Sequence, residues 1–323
     1  MTVMVTGGSG FLGRSVVRGL RDANQQVVSV DLRAPEDPLE GVGYAIGDVC
    51  DPASIAAVLS ENAVDTVVHL ASIVNPGRST TPEQEFRVDV DGSRTVLDAC
   101  VAHGVRRIVV SSSGAAYGYH ADNPAWIDED TPLRGNDSFP YSRHKRLVEE
   151  MLAEYRRAHP ALEQTIFRIG TILGADVDNQ ITALFEKKRL LKIRGSESPF
   201  VFVWDQDVTA AMVQAVVGSR TGIFNVAGDG AMTVDEIADA LGKGTLAVPA
   251  GLVEAGLRIG NALNLTVHGP EQTKFLQYRP VLKNDRLKCV FGYTPRYTTR
   301  EAFAAWRAAR VRSASDSSVR SNA

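Results

Sequence analysis

Cysteine is scarce in this sequence, and the three that are present, Cys50, Cys100 and Cys289, lie far apart. An odd and scattered set provides neither a disulfide framework nor the paired spacing of a redox or zinc site, so we expect reduced thiols in a cytoplasmic protein. The six histidines show no ligand spacing among themselves or with the cysteines, and no metal site is predicted.

Long apolar runs and an excess of positive charge are also absent. The formal net charge is -3, which gives no reason to expect nucleic acid or an anionic membrane as a partner. The most apolar segment, residues 246–265, is interrupted by Glu254 and Arg258. It predicts an amphipathic helix that covers a pocket, with peripheral membrane contact as the weaker alternative and no stable membrane insertion. An apolar strand follows Met1 at once, so no signal peptide is expected.

A glycine-rich turn near the start of the chain is the strongest local feature. Residues 3–5 predict a short buried strand, Gly7, Gly10 and Gly13 follow, and an amphipathic helix then runs to Leu20. This order is typical of a dinucleotide-binding turn. The first glycine allows the tight turn, the second lets a pyrophosphate approach the backbone, and the third lets the helix pack against the strand. The phosphates are then expected at the helix N-terminus.

Acidic and small residues end the predicted strands that follow. Asp31 comes about 20 residues after the glycines, where an acid holds the ribose hydroxyls. Asp48 follows a third strand and either meets the adenine amino group or caps the next helix, and the sequence leaves these alternatives even. Ala71 and Ser72 end a fourth strand and leave room for the cofactor. His69 beside them is interpreted as packing or hydrogen-bonding locally.

Strand and helix alternate five times up to Ser113, which ends the fifth predicted strand. Unbroken alternation predicts an α/β fold, a doubly wound parallel Rossmann sheet with helices on both faces. Ligands of such sheets bind outside the carboxyl ends of the strands. Gly7, Asp31, Asp48, Ala71 and Ser113 all fall at those ends, so one edge of the sheet collects the candidate residues.

Tyr141 and Lys145 form the candidate chemical pair. Pro140 suits the first turn of a helix, and residues four apart on a helix share one face. A lysine ammonium and a nearby nicotinamide cation favour the phenolate, which makes the tyrosine a general acid or base. Taken alone this spacing is common on solvated helix faces, but the dinucleotide turn upstream gives it weight.

With these motifs the chain resembles the extended short-chain dehydrogenases/reductases of the NAD-dependent epimerase/dehydratase type. The resemblance extends to about Arg310. The motifs that carry it are Thr-Gly-Gly-Ser-Gly-Phe-Leu-Gly at residues 6–13, Asp-Val at 48–49, His-Leu-Ala-Ser at 69–72, Ser-Ser-Ser-Gly-Ala-Ala-Tyr-Gly at 111–118 and Pro-Tyr-Ser-Arg-His-Lys at 140–145.

The resemblance implies roles for individual residues. Tyr141 is expected to be the acid/base, Lys145 to bind the nicotinamide ribose, and Ser113 to hold the reacting oxygen. NAD is implied over NADP, because Asp31 would face a 2′-phosphate and no basic residue immediately follows it. The full set implied at the cofactor is Gly7, Gly10, Phe11, Leu12, Gly13, Asp31, Asp48, Val49, Leu70, Ala71, Ser72, Tyr141 and Lys145.

The resemblance also implies the domain organisation. Residues 1–170 are expected to form the NAD-binding domain, whose last elements, about 200–228, interleave with the lobe. Residues 171–312 are expected to form a smaller, mainly substrate-binding lobe, and the Ser-rich residues 313–323 a disordered tail. Helices 82–103 and 141–157 are the pair that dimerise in the family. Their apolar positions predict a homodimer, and these include Val90, Val96, Leu97, Leu147 and Leu152.

The substrate side departs from the nucleotide-sugar members of the family. Gly170 and Thr171 stand where an Asn is usual, Pro199 and Phe200 where an Arg-Asp-Tyr-like segment is usual, and Asp89 replaces another Asn. Two diphosphate contacts are therefore missing, and the region is apolar. The candidate substrate residues are Ser113, Tyr117, Gly170, Thr171, Phe200, Trp204 and Arg279, the last as an anion contact or a surface charge.

Three functions remain open at this stage. The favoured one is an NAD-dependent oxidoreductase acting on a secondary alcohol or ketone of a small, moderately apolar substrate. The second is a nucleotide-sugar 4-epimerase with tightly bound NAD. The third is a non-catalytic NAD-sensing protein, although relatives of that kind tend to lose the tyrosine. Dehydration is disfavoured, because Gly114 and Ala115 stand where dehydratases carry an acid/base pair.

Overall fold

The computed structural model describes residues 1–74, 76–77, 79–263 and 269–320. The strands are β1 Thr2–Thr6, β2 Gln26–Asp31, β3 Val42–Ile46, β4 Val64–His69, β5 Arg107–Ser113, β6 Glu163–Ile169, β7 Thr171–Leu173, β8 Arg189–Ile193, β9 Phe202–Trp204, β10 Gly222–Val226 and β11 Gly244–Val248. The helices are α1 Phe11–Asp22, α2 Pro52–Asn62, α3 Pro82–Phe86, α4 Gly92–Ala102, α5 Pro140–Ala158, α6 Gln180–Phe185, α7 Asp205–Val217, α8 Val234–Ala240, α9 Ala250–Ala262, α10 Gln272–Gln277 and α11 Thr299–Arg320.

Seven strands form the central sheet in the order β3-β2-β1-β4-β5-β6-β10. Every pairing between neighbours in this sheet is parallel. The strands are rich in valine and isoleucine because helices cover both faces and both faces are buried. The predicted doubly wound α/β fold is confirmed. The strand order reverses between β1 and β4, and the crevice at that point is where such sheets bind ligands.

Each face of the sheet has its own apolar core. On one face, strand residues such as Met4, Val67 and Ile108 pack with Leu97 of α4 and Leu152 of α5. On the other face, strand residues pack with residues of α1 and α7; these include Val5, Val68, Val109, Leu20 and Met212. The sheet edge at the strand ends is thereby held rigidly from both sides.

The residues predicted to form the smaller lobe contain short elements and clustered aromatic rings. β7 pairs with β9 and β8 pairs with β11, each in parallel. Phe185 lies edge-on to Phe200, Phe202, Phe303 and Trp306, with ring centroids 5.5–6.0 Å apart. Edge-to-face pairs at this spacing add to the stabilisation from burial alone.

Two helices differ from their predicted extents. The helix expected over 82–103 contains a π-helical turn, Arg87–Asp91, between α3 and α4. The last helix continues to Arg320, whereas a disordered tail was predicted from 313. Neither glycine nor proline occurs between 299 and 320, so nothing in that stretch breaks the helix. Residues 321–323 of the predicted tail, and residues 264–265 of the predicted amphipathic segment, lie outside the described residues.

The apolar positions proposed for a dimer interface are part of the chain's own core. Val90, Val96, Leu97 and Leu152 are at most 6% exposed and pack beneath the sheet. Leu147 is half-buried against the same cluster. These residues therefore do not supply a free apolar face, and that argument for a homodimer was wrong. The dimer through helices 82–103 and 141–157 stays a prediction.

Candidate active site

The glycine turn connects β1 to α1 and packs against the residues that follow β4. Gly7 has a φ of +69°, in the left-handed region that favours glycine. A β-carbon at Gly7 would lie 2.8 Å from the backbone nitrogen of Ala71, and one at Gly13 would lie 2.1 Å from the carbonyl oxygen of Gly7. Both glycines are therefore required by close packing inside the protein.

Gly10 serves a different purpose from its neighbours. A β-carbon at Gly10 would lie 3.1 Å from the Gly7 carbonyl oxygen. Among the described residues it would meet no other heavy atom within 4 Å, apart from its chain neighbours and its own helix. Gly10 is the N-cap of α1 and offers no side chain to the first N–H groups of that helix. Open space beside unpaired N–H groups fits the diphosphate of a dinucleotide.

The two acids predicted at the cofactor end β2 and follow β3. Asp31 Oδ2 accepts a 3.0 Å hydrogen bond from the backbone N–H of Ser9, which places this carboxylate against the glycine turn. Asp48 Oδ1 accepts from the N–H of Cys50 at 2.9 Å. The cap of α2 is Asp51, which accepts from the N–H of Ala53, so the capping alternative for Asp48 was wrong. The residues at the sheet edge fit a dinucleotide.

His69 is enclosed at the end of β4. Its Nδ1 lies 2.7 Å from Thr6 Oγ1 and its Nε2 lies 3.0 Å from Ser93 Oγ. Burial, helped by the nearby Lys145 ammonium, lowers the pKa of His69 to about 4. The imidazole is therefore neutral at physiological pH, which confirms its interpretation as a local hydrogen-bonding residue.

Asp89, in the π-helical turn, connects three elements of the site. Its Oδ1 accepts from Ser72 Oγ at 2.9 Å and from the N–H of Ile73 at 2.8 Å, and its Oδ2 lies 3.0 Å from His144 Nδ1. Burial opposes ionisation, but the bonds to His144 and the charge of Lys145 hold the pKa of Asp89 below its usual range. His144 could not be predicted as part of the site, because a histidine beside Lys145 carries no spacing signal of its own.

Tyr141 and Lys145 lie on the first two turns of α5. The Lys145 ammonium is 5.6 Å from the centroid of the Tyr141 ring, and it donates a 3.1 Å hydrogen bond to the carbonyl of Ser111 on β5. Ser142 Oγ donates to the carbonyl of Ala115 at 2.7 Å. The start of α5 is therefore fixed to the end of β5, where half-buried Ser113 lies.

A buried ion pair supports this junction from below. Arg168 of β6 donates to Glu149 of α5 at 2.7 Å, and Ser112 Oγ donates to the same carboxylate at 2.5 Å. The Tyr117 hydroxyl lies 2.8 Å from Arg168 and donates to Asn225. Tyr117 is fully buried, so its prediction as a substrate residue was wrong, because its hydroxyl is committed to this core network.

Among the residues predicted to meet the substrate, Arg279 has the most unusual surroundings. The guanidinium carbon lies 3.7 Å from the ring centroid of Phe200 and 4.8 Å from that of Phe275. Nη1 donates to the carbonyl of Ser198 at 2.6 Å, and Nε is sealed from solvent without a hydrogen-bond partner. Burial lowers the pKa of Arg279 to about 9, so the group remains a cation at neutral pH.

Three further observations distinguish Arg279 from an ordinary surface charge. In the described part of the chain no carboxylate forms an ion pair with it. Ser198 holds a φ of +35°, and strained backbone of this kind is concentrated at functional sites. Tyr119 lies edge-on to both Phe275 and Phe139, and Phe139 precedes the helix that carries Tyr141. A simple surface charge does not describe Arg279.

The remaining predicted substrate residues contribute mainly to packing. The N–H of Thr171 donates to the carbonyl of Val201, and a β-carbon at Gly170 would lie 3.1 Å from the Val201 side chain. Trp204 is 8% exposed and lies against Tyr297 in the lobe core. Phe200 is buried, with its ring packed against the Arg279 guanidinium.

The fold and the site together define a class of protein. A parallel sheet in this order, a glycine turn at β1, and a Tyr–Lys pair beside the end of β5 are the parts of a nicotinamide-dinucleotide-dependent short-chain dehydrogenase/reductase. Residues 3–227 match the NAD dependent epimerase/dehydratase family. The chain belongs to this family, and its cofactor is NAD, as Asp31 predicts.

Individual relatives show how wide that family is. An uncharacterised protein of Mycobacterium tuberculosis is 28% identical over 308 residues, covering 93% of this chain and 82% of its own. UDP-glucose 4-epimerase of Azospirillum brasilense is 34% identical over 180 residues, which is 54% of this chain and 50% of the enzyme. A UDP-glucose 4-epimerase of Thermus thermophilus, solved in complex with NAD, superposes with a TM-score of 0.72 at 24% identity, covering 95% and 99% of the two chains.

Proposed function

We propose that this protein transfers hydride between NAD and the carbinol or carbonyl carbon of a small-molecule substrate, with Tyr141 as the acid/base. The observation that carries this proposal is the meeting of Tyr141, Lys145 and the Ser113 strand end at the same sheet edge as the glycine turn. A protein that only senses NAD has no use for this arrangement, and a phenol beside a lysine supports chemistry.

Residues on the sheet edge would hold the cofactor. The turn at Gly7 and Gly10 would receive the diphosphate, Asp31 a ribose, and Lys145 the nicotinamide ribose. When bound, NAD supplies the hydride acceptor. Ala71 presents no side-chain bulk at the strand end where the dinucleotide would lie.

The chain's own groups would handle the proton. Lys145 places a positive charge 5.6 Å from the centroid of the Tyr141 ring, where it would attract the negative charge that develops on the phenol oxygen during proton transfer. The phenolate would take the hydroxyl proton of a secondary alcohol, or the phenol would return it to a ketone. Ser113 Oγ would donate a hydrogen bond to the same substrate oxygen. These steps are the same for a dehydrogenase and an epimerase.

Arg279 favours a substrate that carries an anionic group. A guanidinium held between two aromatic rings without a carboxylate gains most from an anion. This observation supports a second candidate, a nucleotide-sugar 4-epimerase, in which the diphosphate would meet Arg279. The UDP-glucose 4-epimerase relatives support the same candidate, while Gly170 at the usual Asn position and Pro199 and Phe200 in place of the Arg-Asp-Tyr-like segment count against it.

Replacement of Tyr141 by phenylalanine tests the proposal. We expect Tyr141→Phe to lower kcat by about 10²–10⁴-fold, because it removes the proton that general acid/base catalysis moves. NAD affinity should stay within about threefold, since the ring and Lys145 remain. The assay follows NADH absorbance and sugar interconversion with UDP-glucose and a panel of secondary alcohols.

A tyrosine elsewhere on the same helix provides the matched control. Tyr155 lies on α5 with its hydroxyl bonded to Asp98, away from the sheet edge. Tyr155→Phe should keep full activity. If Tyr141→Phe retained most activity on a substrate that the native protein turns over, the role proposed for Tyr141 would be excluded.

A further inference from the structure

Helix α9 exposes a stripe of large apolar side chains. Leu252 and Ile259 on α9, and Leu263 directly after it, are 65%, 61% and 62% exposed, and their spacing of seven and four residues places them along one face. Leu246 on β11, just before the helix, is 45% exposed. None of the described side chains of α9 is buried. A contiguous apolar surface of this kind marks a site of interaction.

Exposed cations border this stripe. The N–H of Arg194 donates to the carbonyl of Val248 at 2.9 Å, which places Arg194 beside the start of α9. Arg258 lies on α9 itself, and Lys274 lies on α10, which packs against α9. Within the part of the chain that the structure describes, none of these three cations forms an ion pair with a carboxylate.

We propose that α9 docks on the surface of an anionic lipid bilayer, with its axis in the plane of the membrane. A bilayer offers acyl chains to the apolar stripe and anionic headgroups to the cations at the same time. In a dimer through α9, by contrast, the same positive charges of the two copies would face each other and repel. Among the described helices, none has the length and hydropathy needed to cross a bilayer.

The charge close to α9, and not the net charge of the whole chain, decides whether an anionic bilayer attracts this surface. The whole chain carries -3, from which no anionic membrane partner was expected, but screening limits charge effects to about 8 Å at physiological salt. The bilayer would therefore meet Arg194, Arg258 and Lys274 and few of the distant acids. Glu254 on α9 is half-buried and is the one acid among the described residues of that helix.

Docking at α9 would have a consequence for the substrate side. α10 follows α9 in the chain and carries Phe275, whose ring lies 4.8 Å from the Arg279 guanidinium. The anion-binding side of the lobe would then lie close to the membrane surface. Membrane binding itself requires neither NAD nor turnover, so it can be tested without a known substrate.

Co-sedimentation of the full chain with vesicles tests the proposal. We expect binding to vesicles of phosphatidylcholine with phosphatidylglycerol, and weak binding to phosphatidylcholine alone. Leu252→Ser with Ile259→Ser should lower the partition coefficient about tenfold or more. Arg194→Ala with Lys274→Ala should lower it about thirtyfold, from about 1 kcal/mol per cation near the surface.

Matched variants elsewhere on the surface serve as controls. Val217→Ser removes an apolar side chain that is 49% exposed, and Arg220→Ala removes an exposed cation; both should bind vesicles like the native chain. Unchanged NAD binding in every variant shows that the fold is intact. The proposal is overturned if the native chain binds neither kind of vesicle, or if the α9 variants bind vesicles as tightly as the native chain. It is also overturned if sedimentation instead shows a dimer of this chain that Leu252→Ser with Ile259→Ser dissociates.

Discussion

At the scale of single residues, buried charges hold the candidate site together. Asp89 binds Ser72, Ile73 and His144, and its carboxyl is 3% exposed. A charge removed from water in this way is tolerated only when its partners are in place. The residue is therefore a structural connection between the end of β4 and the helix that carries Tyr141 and Lys145.

Removal of the Asp89 carboxylate should be strongly destabilising. Asp89→Ala leaves His144 and two other donors without an acceptor, and we expect the free energy of unfolding to fall by about 3–5 kcal/mol. Urea denaturation measures this change. Asp122→Ala, which breaks an exposed and solvent-screened pair with Arg134, should change the free energy of unfolding far less. Equal effects of the two variants would contradict the structural role of Asp89.

His69 should make the protein sensitive to acid. Its pKa in the folded state, about 4, lies below the value near 6.5 in the unfolded chain. The folded state therefore binds fewer protons in this window, and stability falls as the pH decreases from about 6.5 to about 4, by about 3 kcal/mol. Urea denaturation across this range should show a shallower pH dependence for His69→Asn than for the native chain. Parallel curves would show that His69 is not held neutral.

Residues whose role depends on spacing along the chain could be predicted from the sequence, and residues whose role depends on distant partners could not. Gly7, Gly13 and the Tyr141–Lys145 pair are identified by intervals of three to six positions. Tyr117 was misassigned because Arg168, which donates a hydrogen bond to its hydroxyl, lies on a strand 51 residues later. His144 was missed because its partner Asp89 is 55 residues away.

At the scale of elements, the glycines of the turn between β1 and α1 have different roles. Gly13 is needed for packing of the helix, and Gly10 is expected to be needed for binding of NAD. Gly13→Ala would place a methyl group 2.1 Å from the Gly7 carbonyl oxygen, and overpacking of this kind costs about 1–3 kcal/mol. Gly10→Ala would place its methyl group 3.1 Å from the same oxygen, a less severe contact, and should cost less stability than Gly13→Ala. It should nevertheless weaken NAD binding at least about tenfold, because the methyl group occupies the path of the diphosphate.

Thermal unfolding and calorimetric titration with NAD measure the two effects separately. Gly251 provides the control, because a β-carbon there would meet no heavy atom within 4 Å and its φ is not positive. Gly251→Ala should leave both quantities unchanged. Normal NAD affinity in Gly10→Ala would contradict the assignment of the glycine turn.

Element boundaries followed the sequence where capping residues mark them. Asp51 and Pro52 start α2, and Thr233 with Glu236 starts α8 through a capping box. The π-helical turn before α4 was not predicted, because the contacts made by Asp89 within it come from other elements. The last helix continues through 313–320, which composition suggested to be disordered, and that stretch contains no glycine or proline to end it.

At the scale of the whole molecule, the sheet order followed from alternation of strands and helices and from the handedness of their connections. The lobe could not be derived in this way. β8 pairs with β11 and β7 pairs with β9 across long separations, and such short strands are specified by the aromatic core that they surround. The substrate side was therefore harder to predict than the cofactor side.

The most direct test of the account is to denature the purified protein, assay the supernatant for NAD by mass spectrometry, and titrate the native protein with NAD. We predict one NAD per chain, either released or bound on titration. Near-stoichiometric release would favour the 4-epimerase, since an epimerase regenerates its cofactor in each turnover, and an empty protein that binds NAD reversibly would favour the dehydrogenase. A folded protein that neither contains nor binds NAD would contradict the central claim.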